Sequence, residues 1–90
     1  MYSLRISPEM DSIFSKLVKK NRKQYEVIMK KVQEIIENPQ HYKNLRGPLQ
    51  LFKRVHIDKH FVLLYSVDED NRTINLEYYD HHDNVYDWRP

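Results

Sequence analysis

The stretch LFKRVHIDKHFVLLYSV, residues 51–67, decides the fold. Two runs rich in Val, Ile, Leu, Phe and Tyr flank the polar break Asp58-Lys59-His60, the pattern of two strands joined by a tight connection. A third run, Thr73 to Asp80, follows Asp68-Glu69-Asp70-Asn71-Arg72, so the C-terminal half reads as an antiparallel meander of Leu51 to Ile57, Phe61 to Val67 and Thr73 to Asp80. Alternation along the first of these strands puts Leu51, Lys53, Val55 and Ile57 on one face and Phe52, Arg54 and His56 on the other.

Residues 39–50, just upstream, form one long connection punctuated by Pro39, Gly47 and Pro48, with Gly47 the only glycine in the chain. Loops of this kind often carry function. Before it, Tyr25, Ile28, Met29, Val32, Ile35 and Ile36 recur at helical spacing until Asn38-Pro39 stops the pattern. Asn21 with Gln24 three residues on suits a capping box at the start of that helix. A helix also begins at Ser7-Pro8-Glu9, which supplies a cap, a first-turn proline and an early acid; its stripe is Met10, Ile13, Phe14, Leu17 and Val18. The joint around Lys20 and Asn21 is short enough only for antiparallel neighbours, and Tyr2 to Ile6 alternates as a short strand.

The expected architecture is therefore α+β in the order β-α-α-β-β-β. An N-terminal helical hairpin covers one face of a small, mostly antiparallel four-stranded sheet and leaves the other face bare, with residues 1–90 forming one domain. A chain of 90 residues buries only about 60–65% of its unfolded surface, so a partner that covers apolar area would matter to its stability.

No cysteine is present, which removes disulfides, thiolate metal sites and cysteine nucleophiles together. The longest wholly apolar run, Phe61 to Leu64, falls far short of the ~20 residues of a membrane span, and no apolar signal core stands near the N-terminus. A soluble, cytoplasmic protein is expected. Basic residues concentrate in the first half: residues 1–50 carry ten Lys and Arg against five Asp and Glu, whereas residues 51–90 carry five against eight. Lys16 to Lys31 holds seven basic residues and one acid, Glu26, a density that attracts a polyanion such as nucleic acid and that equally suits a solvated helix surface.

A single glycine rules out the glycine-rich loops that cradle nucleotides. The five histidines, His41, His56, His60, His81 and His82, all lie in the loop or the β half. A metal site at His81-His82-Asp83 requires the chain to turn there, because neighbours on an extended strand point to opposite faces; otherwise these are exposed polar residues at a strand end, and no metal is expected. RNA cleavage is the better fit. It needs an acceptor for the 2′-OH proton, cations for the charge on the phosphorane, and a donor for the leaving 5′ oxygen, with no metal or cofactor. The β half holds the required types in Lys53, Arg54, His56, His60, His81, His82 and Tyr86.

Nearly the whole chain resembles the RelE/ParE superfamily of small toxins from toxin–antitoxin pairs. The resemblance rests on the first strand, the Ser7-Pro8 helix start, the basic hairpin, Asn38-Pro39 ahead of Leu45-Arg46-Gly47, the strings at 52–57 and 61–67, and His82-Asp83-Asn84-Val85-Tyr86. It implies a metal-independent, ribosome-dependent endoribonuclease that cuts mRNA in the A site and inhibits translation, held inactive in a hetero-oligomer with a RelB-like antitoxin. The family's paired basic residues then fall on Arg54 and His56, or the first on Lys53 if the turn is one residue shorter. Its C-terminal tyrosine or histidine falls on Tyr86, with His81 and His82 just upstream. Arg46 joins Arg54 at the phosphate, and Lys19, Lys20, Arg22, Lys23 and Lys30 contact ribosomal RNA. One departure stands out: many members carry an arginine where this chain has Val62. The alternative implied by the same resemblance is a non-catalytic or ParE-like toxin that acts on DNA gyrase or only binds its antitoxin.

Overall fold

The computed structural model describes residues 1–90. Its elements are β1 (Ser3–Ile6), α1 (Pro8–Lys20), α2 (Arg22–Glu37), a 3-10 turn at Gly47–Leu49, β2 (Lys53–Ile57), β3 (Phe61–Asp68), β4 (Thr73–His81) and a short α3 (His82–Val85). The sheet order is β1-β4-β3-β2, with β1 parallel to β4 and the other pairs antiparallel. This is the expected α+β arrangement with α3 added. No helix is long and apolar enough to cross a membrane.

The caps act largely as their residue types dictate. Ser7 Oγ accepts the Met10 N–H at 3.0 Å and donates to the Glu77 carbonyl at 3.0 Å, fixing α1 to the sheet. Asn21 Oδ1 accepts the Gln24 N–H at 3.1 Å. The reciprocal half of that box is absent: Gln24 Nε2 instead donates to the buried Tyr79 hydroxyl at 3.0 Å, so a surface cap has become a bond across the core.

Met10, Phe14, Ile28, Val32 and Ile35 from the helices meet Val55, Ile57, Leu63, Tyr65, Ile74, Leu76 and Tyr79 from the sheet in one core. A bulge shapes the last strand. Leu64 pairs with Tyr78 and Tyr65 with Leu76, leaving Glu77 as an extra residue. The phase of β4 slips there, so Ile74, Leu76 and Tyr79 face the helices, while Tyr78 lies opposite Leu64 on the far face.

The far face is not bare, and here the expectation fails. Val62, Leu64 and Val85 form a second buried cluster with Leu45, Tyr78 and Trp88 packed against it. Trp88 stacks on Tyr78 (centroids 5.2 Å apart, planes 9° apart), meets Phe52 edge-on at 5.4 Å, and donates from Nε1 to Glu9 at 3.0 Å. Residues 82–90 thus fold back over part of the sheet because β3 presents Val62 and Leu64 as apolar surface on that side.

Three tyrosines resist ionisation chiefly through burial. Burial pushes Tyr65 and Tyr79 above the ordinary phenol value, and burial with a hydrogen bond to Asp80 pushes Tyr78 up to about 12. A folded-state pKa above the unfolded one gives stability that is complete below the unfolded value and is lost as pH rises through the folded one. Stability should therefore hold up to about pH 10 and fall from there to about pH 12 and beyond, by as much as ~1.4 kcal/mol per pH unit for each tyrosine. Urea unfolding at a series of alkaline pH values measures this; a profile that is flat above pH 10 contradicts it.

Candidate active site

The loop after α2 is moored to β2 before it reaches the site. The buried Tyr65 hydroxyl donates to the Pro39 carbonyl at 3.0 Å, Leu45 N–H donates to the Phe52 carbonyl at 2.9 Å, and Asn44 bridges to Lys53. Gly47 then turns the chain at φ +66°, a conformation that side chains with a Cβ rarely adopt. Beside it Arg46 stands exposed.

Between this loop, β2 and the C-terminal tail lies a cleft of about 560 Å³ whose charged lining consists of Lys43, Arg46, Arg54 and Arg89, with no acidic residue. Tyr86 closes one side. Arg54 Nη1 donates to the Tyr86 hydroxyl at 2.9 Å, and the guanidinium carbon lies 5.9 Å from the ring centre. Arg89 is held over the tail by hydrogen bonds to the Tyr86 and Trp88 carbonyls at 2.9 and 2.6 Å. Four cations around one tyrosine make a site for an anion, and the Tyr86 hydroxyl, already accepting from a guanidinium, is free to donate its own proton.

His56 lies two residues along β2 on the same face as Arg54 and shares an adjoining hollow of about 380 Å³ with Arg54, Lys31 and Lys43. Arg46, Arg54 and Tyr86 thus line one cleft, and His56 lies in the hollow beside it. Lys53 does neither. It faces the helices, 8% exposed, with its ammonium bound to the Tyr42 carbonyl at 3.1 Å and Asn44 Oδ1 at 2.7 Å. The pleat turns it away from Arg54 and gives it a structural task, anchoring the loop.

His81 and His82 do not line the cleft. The chain turns between them, from β4 into α3, and the β2–β3 turn brings His60 to meet them. The turn that the sequence made the condition for both histidines to reach one point is present, and one ring nitrogen from each of His60, His81 and His82 lies within 4.8 Å of the other two.

On the hairpin, Lys19, Lys20, Arg22, Lys23 and Lys30 are all exposed. Lys19 and Lys20 sit in the last turn of α1, where cations also favour the helix terminus, and Arg22 pairs with Glu26 at 3.8 Å. Sequence reasoning missed Lys31, Lys43 and Arg89. Arg89 reaches the cleft only because Trp88 beside it docks on Tyr78 and Phe52, a packing that no local pattern announces. Val62 is fully buried beneath α3, and Arg46 and Arg89 bring positive charge to the cleft from the loop and the tail.

Comparison with known proteins identifies the fold and the family. No protein-family model matches the chain. Over 86 residues, 96% of this chain and 92% of the relative, it is 55% identical to a protein of Methanocaldococcus jannaschii named "Putative toxin RelE4". A YoeB/ParE toxin from Agrobacterium tumefaciens superposes with a TM-score of 0.80 at 12% identity, covering 89% of this chain and 98% of that one. The toxin of a heterotetrameric YoeB–YefM toxin–antitoxin complex from Staphylococcus aureus gives 0.76 at 17% identity, covering 91% and 98%. The solved structures share the fold, and the archaeal relative shares the sequence almost end to end: this chain belongs to the RelE family of toxins.

Proposed function

We propose that this toxin is a ribosome-dependent endoribonuclease that cuts mRNA in the A site and is restrained by a cognate antitoxin. The observation that carries the reading is the acid-free cationic cleft with Arg54 bonded to Tyr86 at its edge. Attack of a 2′-OH on the adjacent phosphate builds negative charge on the phosphorane oxygens, and Arg54, Arg46 and Arg89 are poised around the space where that charge develops. His56 on the Arg54 face takes the 2′-OH proton, and Tyr86 delivers a proton to the leaving 5′ oxygen.

The exposed lysines of the hairpin supply phosphate contacts that position the toxin on ribosomal RNA without reading its sequence. An antitoxin partner is supported by the S. aureus complex of the same fold. It would find apolar anchorage at Leu51, which is 76% exposed at the margin of the sheet.

Primer extension on an mRNA translated in a cell-free system tests the reading. Cuts within A-site codons that vanish when ribosomes are omitted are expected. Intact mRNA with inhibited DNA supercoiling would replace this activity with action on gyrase.

A further inference from the structure

At the far end of β4, three of the five histidines in the chain converge from two separate segments. Their rings lie against one another and His81 meets Phe61 edge-on, yet His60 and His82 are exposed, His81 is half-buried, and the one carboxylate paired with the imidazoles is that of Asp83. We infer that His60, His81 and His82 form a binding site for a divalent transition metal of the zinc and copper group. This goes beyond the nuclease reading and does not depend on it.

The backbone is already set for the task. His82 N–H donates to the His60 carbonyl at 2.8 Å, which locks the β2–β3 turn against the start of α3. Zinc–nitrogen bonds of about 2.0–2.1 Å place tetrahedral ligands roughly 3.4 Å apart. The three nitrogens lie within 4.8 Å of one another, so ring rotation has a gap of only about 1.4 Å to close. The rings of His60 and His81 are stacked, with planes 3° apart, and those of His81 and His82 lie 4.4 Å apart at 31°; convergence on one ion tilts them apart.

Asp83 supplies the outer support that metal-bound imidazoles require. Its carboxylate oxygens lie 3.1 Å from His82 Nδ1 and 3.4 Å from His81 Nδ1. His81 Nδ1 accepts the Asp83 N–H at 3.1 Å; ligation through the other nitrogen would make Nδ1 a donor to the nearby carboxylate. Three neutral imidazoles suit Zn²⁺, Cu²⁺ or Ni²⁺ and not Mg²⁺ or Ca²⁺, and three protein ligands leave a fourth position for water or a substrate oxygen. Bound metal would staple the β2–β3 turn to α3, the helix that leads directly into Tyr86.

Calorimetric titration of the untagged protein with Zn²⁺, alongside NMR of the histidine rings, tests the inference. Saturable one-to-one binding is expected, with ring signals of His60, His81 and His82 shifting while those of His41 and His56 stay in place, and with no response to Mg²⁺. His60→Ala and His82→Ala should each weaken binding by about a hundredfold or more, Asp83→Asn by about tenfold, and His41→Ala not at all. Absence of saturation up to about 1 mM Zn²⁺, shifts centred on His41 or His56, or wild-type affinity in folded His60→Ala would each overturn it. The ring shifts of the unsubstituted protein decide the matter even if a variant fails to fold.

Discussion

Replacing Arg54 with alanine is expected to lower the rate of mRNA cleavage by about 10²–10³-fold, the loss seen when one preorganised donor to a developing oxyanion is removed. Stability should barely change. Arg54 is exposed, and its single side-chain hydrogen bond, to Tyr86, is a surface contact, so the effect on unfolding should stay within about 0.5 kcal/mol. Lys53→Ala sharpens the contrast. It removes the ammonium that holds Tyr42 and Asn44, and should destabilise the protein by about 1–3 kcal/mol through those unpaired acceptors. Parallel urea melts and single-turnover cleavage of both variants check the pair. Full cleavage by folded Arg54→Ala would remove this residue from the mechanism.

Val85→Asp should produce the second large effect by another route. Val85 is fully buried against Val62 and Leu64 and seats the tail that carries Tyr86 and Arg89. A carboxylate cannot stay in that cluster unpaired, so the tail detaches, and the expected loss is bounded by its docking, about 2–3 kcal/mol for the buried apolar area. Cleavage should fall at least as far as in Arg54→Ala because the cleft loses two of its walls. The core between helices and sheet shares no residue with this cluster and should persist. Hydrogen exchange that accelerates across residues 82–90 while α1, α2 and β3 stay protected is the predicted signature; uniform acceleration would show that tail and core unfold as one unit.

Much of this architecture is legible in the residues themselves. Ser7-Pro8 and Asn38-Pro39 bound the helical hairpin as their capping and breaking chemistry requires, and the polar breaks at 58–60 and 68–72 mark the strand ends to within one residue. The face of β2 followed from alternation, which separates Arg54 and His56 from Lys53. Elsewhere local pattern could not decide. The bulge at Glu77 arises from pairing between strands and leaves no period of its own, so a count by twos from Ile74 would place Tyr78, and not Tyr79, in the main core.

The tail was illegible for a related reason. His82 to Val85 is too short to show helical period, and its docking depends on Val62 and Leu64, which look like ordinary members of a buried strand. Arg89 and the histidine cluster inherit that limit, since each depends on where the chain turns after β4. Arg54, His56 and Tyr86 could be proposed because two lie on a strand and the third carries the family resemblance. What brings Tyr86 to Arg54 is the folded tail.

The most direct test of the central claim is the chemistry of the cut itself. Programmed ribosomes carrying mRNA with an open A site should yield fragments ending in a 2′,3′-cyclic phosphate and a 5′-hydroxyl, and a 2′-O-methyl group on the nucleotide before the scissile phosphate should abolish cleavage. Fragments ending in a 3′-hydroxyl and a 5′-phosphate, or undiminished cutting of the methylated message, would contradict attack by the 2′-OH in the Arg54–Tyr86 cleft.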